Sequence, residues 1–516
     1  MKRSMGLVFL VFVGFLTFFP SICLGQAKSG GSLVIAFDSD LKQLDPHKGM
    51  TGAEGTIFTL ICDNLVNSSK AFEAKPGLAE SWEVTQNGKE WIFRLRKGVK
   101  FHNGREMTAE DVKFNMDRIM DPNVGAAMRS RYTMVESVIV VDPYTMKFVL
   151  KQPSGALLSA FFGSGVQTPI IAPECVDKEG KVTQPIGTGP FVFVEWRAND
   201  HSKFKKFKDY WQKGLPYLDE VVIKPVPDET VRLTSIRTGD VDIAYRLPVD
   251  EVARLIQKPQ KEFSFFTDIR DSTLFLHFNV SKPPFNDVRV RQAVAYGMNK
   301  EEIAMAVYRG HGEVVNQAFP RKSAWYCDVP ETPRDVAKAR ALLKEAGYAN
   351  GLDVTLGTTT TYPAYKIAAE VLQAQLKEIG MRVQLDVNDW PTLVKKSVAG
   401  EFAFGTAGWA PIADPVILYP GAFLPKGAYS FLTGKAYENS QLTEAIEKAS
   451  ESVEFQKRKE LYTKAVKIMV EEAPWIFITG GPNPMGIRSH VKGFQPHLNG
   501  LFVYADGGLQ QTWLDK

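Results

Sequence analysis

Several features that mark common function classes are scarce in this sequence of 516 residues. Its 62 lysines and arginines are nearly balanced by 58 aspartates and glutamates, so no excess of one charge favours a nucleic acid or an anionic membrane surface. The seven histidines form no pair with the spacing of metal ligands. We therefore expect no nucleic-acid partner, no bound metal and no other cofactor.

Cysteine is also scarce, with four in the whole chain. If Cys23 is lost with a leader, Cys62, Cys175 and Cys327 remain. An odd number cannot form a complete disulfide framework, although one bridge in an oxidising compartment stays open. We expect these side chains to behave as small buried apolar groups.

No apolar run is long enough for an ordinary membrane span, which needs about 20 residues. The longest candidate runs from Gly6 to Phe19, follows Lys2 and Arg3, and precedes the small residue Gly25. This order predicts a signal peptide over residues 1–25, with cleavage after Gly25 or Ala27. The protein is then expected in the periplasm or outside the cell. A lipid anchor on Cys23 is disfavoured, because Ile22 stands where such anchors have a small residue.

Catalytic signatures are missing as well. The sequence contains no GxSxG, HExxH or Walker motif and no GxGxxG after a strand. The glycine cluster at 187–190 lacks the lysine and helix of a phosphate loop, which favours a tight turn. Asp240 and Asp242 have no third ligand nearby in the sequence, which favours a solvated turn or a local capping role. We expect a protein that is not an enzyme, and detected turnover would be needed to revive the enzyme alternative.

Local patterns predict a mixed α/β fold. Residues 32–37 read as a buried strand, and residues 81–95 read as a hairpin around Asn87-Gly88. Thr108 is an expected N-cap for a helix over 109–120.

The second half of the sequence alternates helices and strands. Asp287 and Asn299 are expected to cap successive helices, the first over 288–298. Helices over 333–346 and 363–379 each stop at a glycine, and a strand over 381–387 follows the second. This rhythm is that of an α/β layer, and the length of the chain predicts two or more lobes.

Several segments then resemble one family in order and spacing, from about residue 30 to about residue 480. The family is the extracellular solute-binding proteins of peptide and nickel ABC importers, often called family 5. The matching segments are LAESW at 78–82, FRLRKGVKF at 93–101, TAEDV at 108–112, GTGPF at 187–191 and VRVRQA at 288–293.

The resemblance implies a two-lobed periplasmic-binding-protein fold with two hinge crossovers and an α+β subdomain inserted in the first lobe. By analogy, the first lobe comprises 28–57, 185–277 and 490–516, the insertion 58–184 and the second lobe 278–489. The implied function is capture of a peptide or similar small polar solute between the lobes by closure about the hinge. The implied partners are the importer's membrane subunits, with the receptor itself a monomer.

The same analogy supplies candidate ligand contacts at two strand edges. One edge holds Phe37, Asp38 and Ser39, and the other holds Gly408, Trp409 and Ala410. Extended backbone at such edges pairs with varied peptides.

Two positions depart from dipeptide-binding members. Ile412 stands where these have an ammonium-holding aspartate, and Asp414 is the nearest substitute. Thr359 and Thr360 stand near the position of their carboxylate-holding arginine, which suits an uncharged or sugar-like group. A non-peptide solute, sugar-like or opine-like, and a sensory receptor therefore remain as alternatives.

Overall fold

The computed structural model describes residues 27–49, 52–85, 88–163, 167–267, 270–409, 412–425, 427, 429–435 and 437–516. The predicted signal peptide, the turn residue Asn87 and the candidate contact Ala410 lie outside the described residues. Among the described helices, none has the length and apolar character needed to cross a bilayer.

The chain enters the first lobe and soon leaves it for the inserted subdomain. The first two elements are β1 (Ser32–Phe37) and α1 (Gly52–Phe58). The insertion then contributes β2 (Val66–Ser68), β3 (Ala74–Pro76), β4 (Ala79–Val84), β5 (Glu90–Leu95), α2 (Ala109–Met120), β6 (Val135–Asp142), β7 (Thr145–Leu150) and α3 (Leu157–Phe162). Four of its strands form one antiparallel sheet in the order β4-β5-β7-β6.

The chain then returns to the first lobe. It adds β8 (Phe191–Arg197), β9 (His201–Lys206), β10 (Glu220–Pro225), α4 (Glu229–Thr238), β11 (Ile243–Ala244), α5 (Val249–Ile256) and β12 (Phe263–Phe266). Within this lobe β1 runs parallel to both β10 and β11.

The second lobe alternates helices with strands, as the sequence predicts. Its elements are β13 (Arg270–Phe278), α6 (Val288–Gly297), α7 (Lys300–Tyr308), β14 (Glu313–Val314), α8 (Val336–Glu345), β15 (Leu352–Thr359), α9 (Pro363–Glu378), β16 (Met381–Asn388), α10 (Trp390–Val398), β17 (Phe404–Trp409), α11 (Tyr419–Phe423), α12 (Ser440–Glu451), α13 (Phe455–Glu472) and β18 (Trp475–Pro482). The strands form a six-stranded sheet in the order β14-β18-β13-β17-β15-β16.

The chain finishes in the first lobe. The last strands are β19 (Met485–Arg488), β20 (Val491–Lys492), β21 (Val503–Tyr504), β22 (Gly507–Gly508) and β23 (Trp513–Leu514). The first of them completes a seven-stranded sheet in the order β12-β19-β11-β1-β10-β9-β8.

Strand membership corrects two of the predicted lobe boundaries. β13 pairs with β17 and β18 in the second sheet, so the second lobe begins at about residue 270 rather than 278. β19 pairs with β11 and β12 in the first sheet, so the second lobe ends before residue 485 rather than at 489. Motif spacing could not locate these limits, because each strand follows directly on a crossing segment.

Caps and glycine stops fix several helices as predicted. Thr108 and Asp111 form a capping box at the start of α2, and the Asn299 side chain accepts a hydrogen bond from the backbone N–H of Glu302. Gly347 and Gly380 have φ of 93° and 92°, in the region that favours glycine after a helix. The predicted first residue of α8 is wrong: the helix begins at Val336, after its N-cap Asp335, and not at residue 333.

The hydrophobic interior is divided between the lobes. The insertion has its own cluster around Phe93, Phe148 and Phe161, while Phe278 and Phe404 belong to a cluster in the second lobe. The three described cysteines are buried and free, as expected for small apolar groups.

Candidate ligand-binding site

The chain crosses between the two large sheets twice. The first crossing joins the end of β12 at Phe266 to the start of β13 at Arg270, and the second joins Pro482 to Met485. β12 and β19 are adjacent in the first sheet, and β13 and β18 are adjacent in the second. The two crossings therefore connect neighbouring strands at both of their ends. This double connection is the expected geometry of a hinge.

In the first lobe, strand register places the C-terminal end of β1 on the side of these crossings. Ala244 at the end of β11 pairs with Gly486, which lies just after the second crossing. Ala36 pairs with Ala244 in parallel. Phe37 and Asp38 therefore follow at the edge of the sheet that is nearest to the second lobe.

In the second lobe, the same reasoning places the C-terminal ends of β15 and β17 on the crossing side. Trp409 at the end of β17 pairs with Thr273, close to the start of β13. β15 runs parallel to β17, with Gly357 opposite Gly405, so Thr359 also ends on this side. Ligands of α/β sheets bind beyond the carboxyl ends of parallel strands. Both lobes thus turn their carboxyl edges toward the space between them.

The first edge carries an ion pair. The Nη1 of Arg246 lies 3.0 Å from the Asp38 carboxylate, and the two side chains are 47% and 21% exposed. The Ser39 hydroxyl lies 3.4 Å from the other oxygen of Asp38. Sequence reasoning found Asp38 and Ser39 but missed Arg246, which stands two residues after the short strand β11.

Phe37 lies at the predicted edge, but its side chain belongs to the core. The ring is 2% exposed and lies 4.6 Å from Tyr245 and 5.5 Å from Phe502, between centroids. Its carbonyl accepts a hydrogen bond from Val226 N–H. A contact from the Phe37 ring to a solute is therefore ruled out in this arrangement.

The second edge is aromatic. Trp409 is half-buried and meets Tyr429 edge-on, with centroids 4.6 Å apart. A side chain on Gly408 would overlap the Tyr365 hydroxyl, so only glycine lets that ring lie against the end of β17. This close approach gives Gly408 a packing role next to Trp409.

Three further rings extend this edge and were missed by sequence reasoning. Tyr362 lies 5.2 Å from Tyr365 and 5.3 Å from Trp390 between centroids, and it is 44% exposed. We call these three residues the aromatic ledge. Tyr362 follows β15, and Trp390 follows β16. Their positions just after two parallel strands were the sequence signal that could have identified them as part of this edge.

The two predicted threonines differ in access. Thr359 is fully buried, and its hydroxyl oxygen accepts a hydrogen bond from the backbone N–H of Thr361 at 3.1 Å. Thr360 is exposed. The neighbouring Thr358 is buried and accepts from the Thr406 hydroxyl at 2.8 Å. Of the predicted pair, the side chain of Thr360 alone is open to a solute, because the sheet encloses that of Thr359.

The prediction of Asp414 as a ligand contact is contradicted by its surroundings. The carboxylate is 1% exposed and accepts hydrogen bonds from the Arg458 guanidinium at 2.9 and 2.6 Å. It also caps a short turn by accepting from Val416 N–H. Burial lowers the pKa of Arg458, but the charge and hydrogen bonds of Asp414 together with those of Tyr462 raise it above the ordinary value, so the pair stays ionic. Asp414 neutralises the buried Arg458 cation and is therefore not available to bind a charged solute.

The Arg458 side chain also joins two parts of the protein. Its guanidinium donates to the carbonyl of Gly155 in the insertion at 3.1 Å and lies 4.7 Å from the centroid of Trp325. The Ala324 N–H donates to Ala71 O at the same junction. The insertion is therefore attached to the second lobe as well as to the first.

Chemically, the two edges offer one ion pair, exposed hydroxyl groups, strand backbone and aromatic rings. Among the described residues, no three histidine, cysteine or acidic side chains come together as a metal-binding group. Such an arrangement suits recognition of a polar organic molecule with some flat or apolar surface.

Comparison with known proteins gives a consistent picture. The sequence pattern described as bacterial extracellular solute-binding proteins, family 5 Middle, matches residues 73–430. The glutathione-binding protein GsiB of Salmonella paratyphi A (strain ATCC 9150 / SARB42) is 28% identical over 500 residues, with 95% of each chain covered.

Two solved structures share the fold and a similar level of identity. The PBP AgaA of A. tumefaciens R10, in complex with agropinic acid, is 28% identical, with 94% of this chain and 99% of that chain covered and a TM-score of 0.75. The ABC transporter-associated periplasmic binding protein DppA of Helicobacter pylori, in complex with the peptide STSA, is also 28% identical. There the coverage is 95% and 99%, and the TM-score is 0.74.

Proposed function

Since the chain belongs to family 5 of the bacterial extracellular solute-binding proteins, we propose that it is the substrate-binding receptor of an ABC importer. In this role it captures a peptide or a similar small polar solute between its lobes and delivers it to the membrane subunits. The family consists of binding proteins, which supports a role without catalytic turnover.

The observation that carries the proposal is that the carboxyl edges of both sheets lie on the side of the double crossing. Closure about the crossings brings the ends of β1 and β11 toward the ends of β15, β16 and β17. A solute held there gains contacts from both edges only in the closed form, and this difference is what drives closure. The importer can then distinguish a loaded receptor from an empty one.

The composition of the second edge supports a peptide-type solute whose backbone or a flat group lies along aromatic rings. Trp409 and Tyr362 offer ring surface, and Thr360 offers an exposed hydroxyl group. Strand-end backbone next to such rings accepts solutes with varied side chains. The relatives named above for glutathione and the peptide STSA support the same class.

Export completes the proposal. The sequence order at residues 1–25 is that of a signal peptide, and the relatives are periplasmic binding proteins. We propose that the receptor works outside the cytoplasmic membrane as a soluble monomer.

The proposal is tested by thermal unfolding and titration calorimetry with reduced glutathione, the peptide Ser-Thr-Ser-Ala and agropinic acid. We expect at least one to raise the melting temperature and to bind with a stoichiometry of one. A flat response to all three, in protein first unfolded and refolded to remove retained solute, would contradict the proposed class of cargo.

A further inference from the structure

The ion pair between Asp38 and Arg246 occupies a defined place in the fold. Asp38 directly follows β1, and Arg246 follows the neighbouring parallel strand β11 by two residues. Both strands end at the edge that faces the second lobe. The pair therefore stands where α/β proteins bind ligands.

The backbone at Arg246 is held in an unfavourable conformation. Its φ is 48°, in the left-handed region that residues other than glycine seldom adopt. Strain of this kind persists only where the surroundings impose it, and it is concentrated at functional positions. Glycine or asparagine would adopt this conformation at a lower cost.

A buried guanidinium binds the carbonyl groups on both sides of the Arg246 Cα. Arg232 is 3% exposed and donates to the carbonyl oxygen of Arg246 at 2.5 Å and to that of Tyr245 at 2.7 Å. It also donates to Val226 O at 2.6 Å and Pro227 O at 2.8 Å, beyond the end of β10. One side chain thus fixes the ends of two strands and the direction in which Arg246 leaves the sheet.

The pair itself adds little to the fold. With side chains 47% and 21% exposed, it is screened by solvent, and exposed pairs of this kind contribute little to stability. The stability that the ion pair contributes therefore does not explain the strained backbone at Arg246. This strain suits a pair of charges that is kept in place for a ligand.

We propose that Asp38 and Arg246 recognise the zwitterionic head of an amino-acid-type solute, one that carries an ammonium and a carboxylate on the same end. The ligand opens the pair: its ammonium donates to Asp38, and its carboxylate accepts a forked pair of hydrogen bonds from Arg246. The exchange leaves every charge paired. This assignment rests on the proposed receptor function and names the group by which the first lobe holds its solute.

The assignment also accounts for the two departures in the second lobe. Ile412 and the threonines at 359 and 360 leave that edge without the charged anchors of dipeptide-binding members. The ledge and Trp409 then contact the uncharged remainder of the solute. Charge recognition lies on one lobe and ring contact on the other.

Reduced glutathione is a suitable probe, because its γ-glutamyl end carries both charges on one carbon. We expect wild-type protein to bind glutathione. N-acetylation of the γ-glutamyl amine and amidation of the adjacent carboxylate should each weaken binding at least tenfold. Amidation of the glycine carboxylate at the far end should have a smaller effect. Titration calorimetry with the full exported chain measures all four compounds.

Variants assign each contact. Arg246→Gln should weaken binding at least tenfold and abolish the penalty for amidating the γ-glutamyl carboxylate, while Arg246→Lys should restore part of the affinity. Asp38→Asn should abolish the penalty for N-acetylation. The matched control is Arg94→Gln, which breaks an exposed 3.0 Å pair with Glu83 in the insertion and should leave glutathione binding unchanged.

The outcomes separate the two claims. The zwitterion assignment is overturned if N-acetylated or γ-glutamyl-amidated glutathione binds the wild type as tightly as glutathione does. It is also overturned if Ser-Thr-Ser-Ala, whose charges lie at opposite ends, binds and glutathione does not. In both cases the receptor function stands. If neither glutathione nor Ser-Thr-Ser-Ala binds, the peptide-type cargo is rejected together with the assignment.

Discussion

At the residue scale, the side chains at the two strand edges divide into those that the fold uses and those that remain exposed. Phe37, Thr359 and Asp414 are enclosed by the core or by buried partners. Asp38 and Trp409 keep accessible surface. Sequence motifs identify the edges but cannot make this division, because it depends on partners that are distant along the chain.

Trp409 provides the first test at this scale. Trp409→Ala removes a half-buried ring at the end of β17, and we expect solute binding to weaken at least tenfold, or about 1.4 kcal/mol. The melting temperature of the empty protein should change by only a few degrees, because the ring is not part of a closed core. Calorimetry and thermal unfolding give the two numbers.

The matched control is Trp82→Ala, which removes a half-buried ring of the insertion, 6.4 Å from Phe93 between centroids. Binding should stay at the wild-type value in this variant. Equal loss of affinity in both variants would show that Trp409 acts through general stability and not through contact with the solute.

Asp414 is predicted to behave as a structural residue. Asp414→Asn leaves the buried Arg458 guanidinium without its counter-charge, and breaking such a pair costs about 3–5 kcal/mol. We expect this loss in denaturant unfolding of the empty protein.

The control Asp353→Asn breaks an exposed pair with Arg382 and should leave the free energy of unfolding nearly unchanged. An Asp414→Asn variant of wild-type stability, with reduced affinity for cationic solutes alone, would restore Asp414 as a ligand contact.

At the scale of elements, local patterns predict much of the structure. The strand β1 and the helix α2 have their predicted bounds, because apolar alternation and a capping box determine them within a few residues. The aromatic ledge was not predictable in this way. Its rings come from the starts of α9 and α10, and only the parallel pairing of β15 with β16 brings them together.

The contact between the end of β17 and α9 can be tested with a glycine substitution. In Gly408→Ala the new methyl group overlaps the Tyr365 hydroxyl, and overpacking of this kind costs about 1–3 kcal/mol. We expect reduced stability and weaker solute binding, since the strand end carries Trp409.

Adding Tyr365→Phe removes the overlapping oxygen and should recover part of both losses. A double variant as impaired as the sum of the two single variants would argue against this contact as the cause.

At the scale of the whole molecule, buried histidines make stability depend on pH. Burial lowers the pKa of each to about 4, so they are neutral in the folded protein and take up protons below about pH 6.5 when it unfolds. The folding stability that depends on these neutral histidines is fully present above about pH 6.5 and is lost as the pH falls toward 4. Asp63 acts in the opposite sense, because burial raises its pKa to about 6. The histidines in question are His47, His102, His277 and His497.

We therefore expect the free energy of unfolding to fall between pH 7.5 and pH 5.5. His277→Asn should reduce this fall by about 1.4 kcal/mol, because one fewer histidine takes up a proton on unfolding. Asparagine can still donate to Leu432 O, the present partner of the His277 ring at 2.9 Å. Urea unfolding at the two pH values measures the difference, and an unchanged fall in the variant would contradict a neutral buried His277.

The lobes themselves were predictable from the chain length and the ordered family motifs, but their exact limits were not. A strand that follows a crossing can join either sheet, and only hydrogen-bond pairing decides, as for β13 and β19. The facing of the two carboxyl edges is likewise a property of topology. It follows from the register of three strands in each sheet and from no local signal.

The central claim is that one solute is held between these edges. Native mass spectrometry of the receptor, purified from cells that export it and without a refolding step, tests this claim most directly. We predict a population with one small polar molecule per chain, released on unfolding and diminished in Trp409→Ala and Arg246→Gln. A spectrum with the bare chain mass alone, unchanged after incubation with glutathione, Ser-Thr-Ser-Ala and agropinic acid, would contradict it.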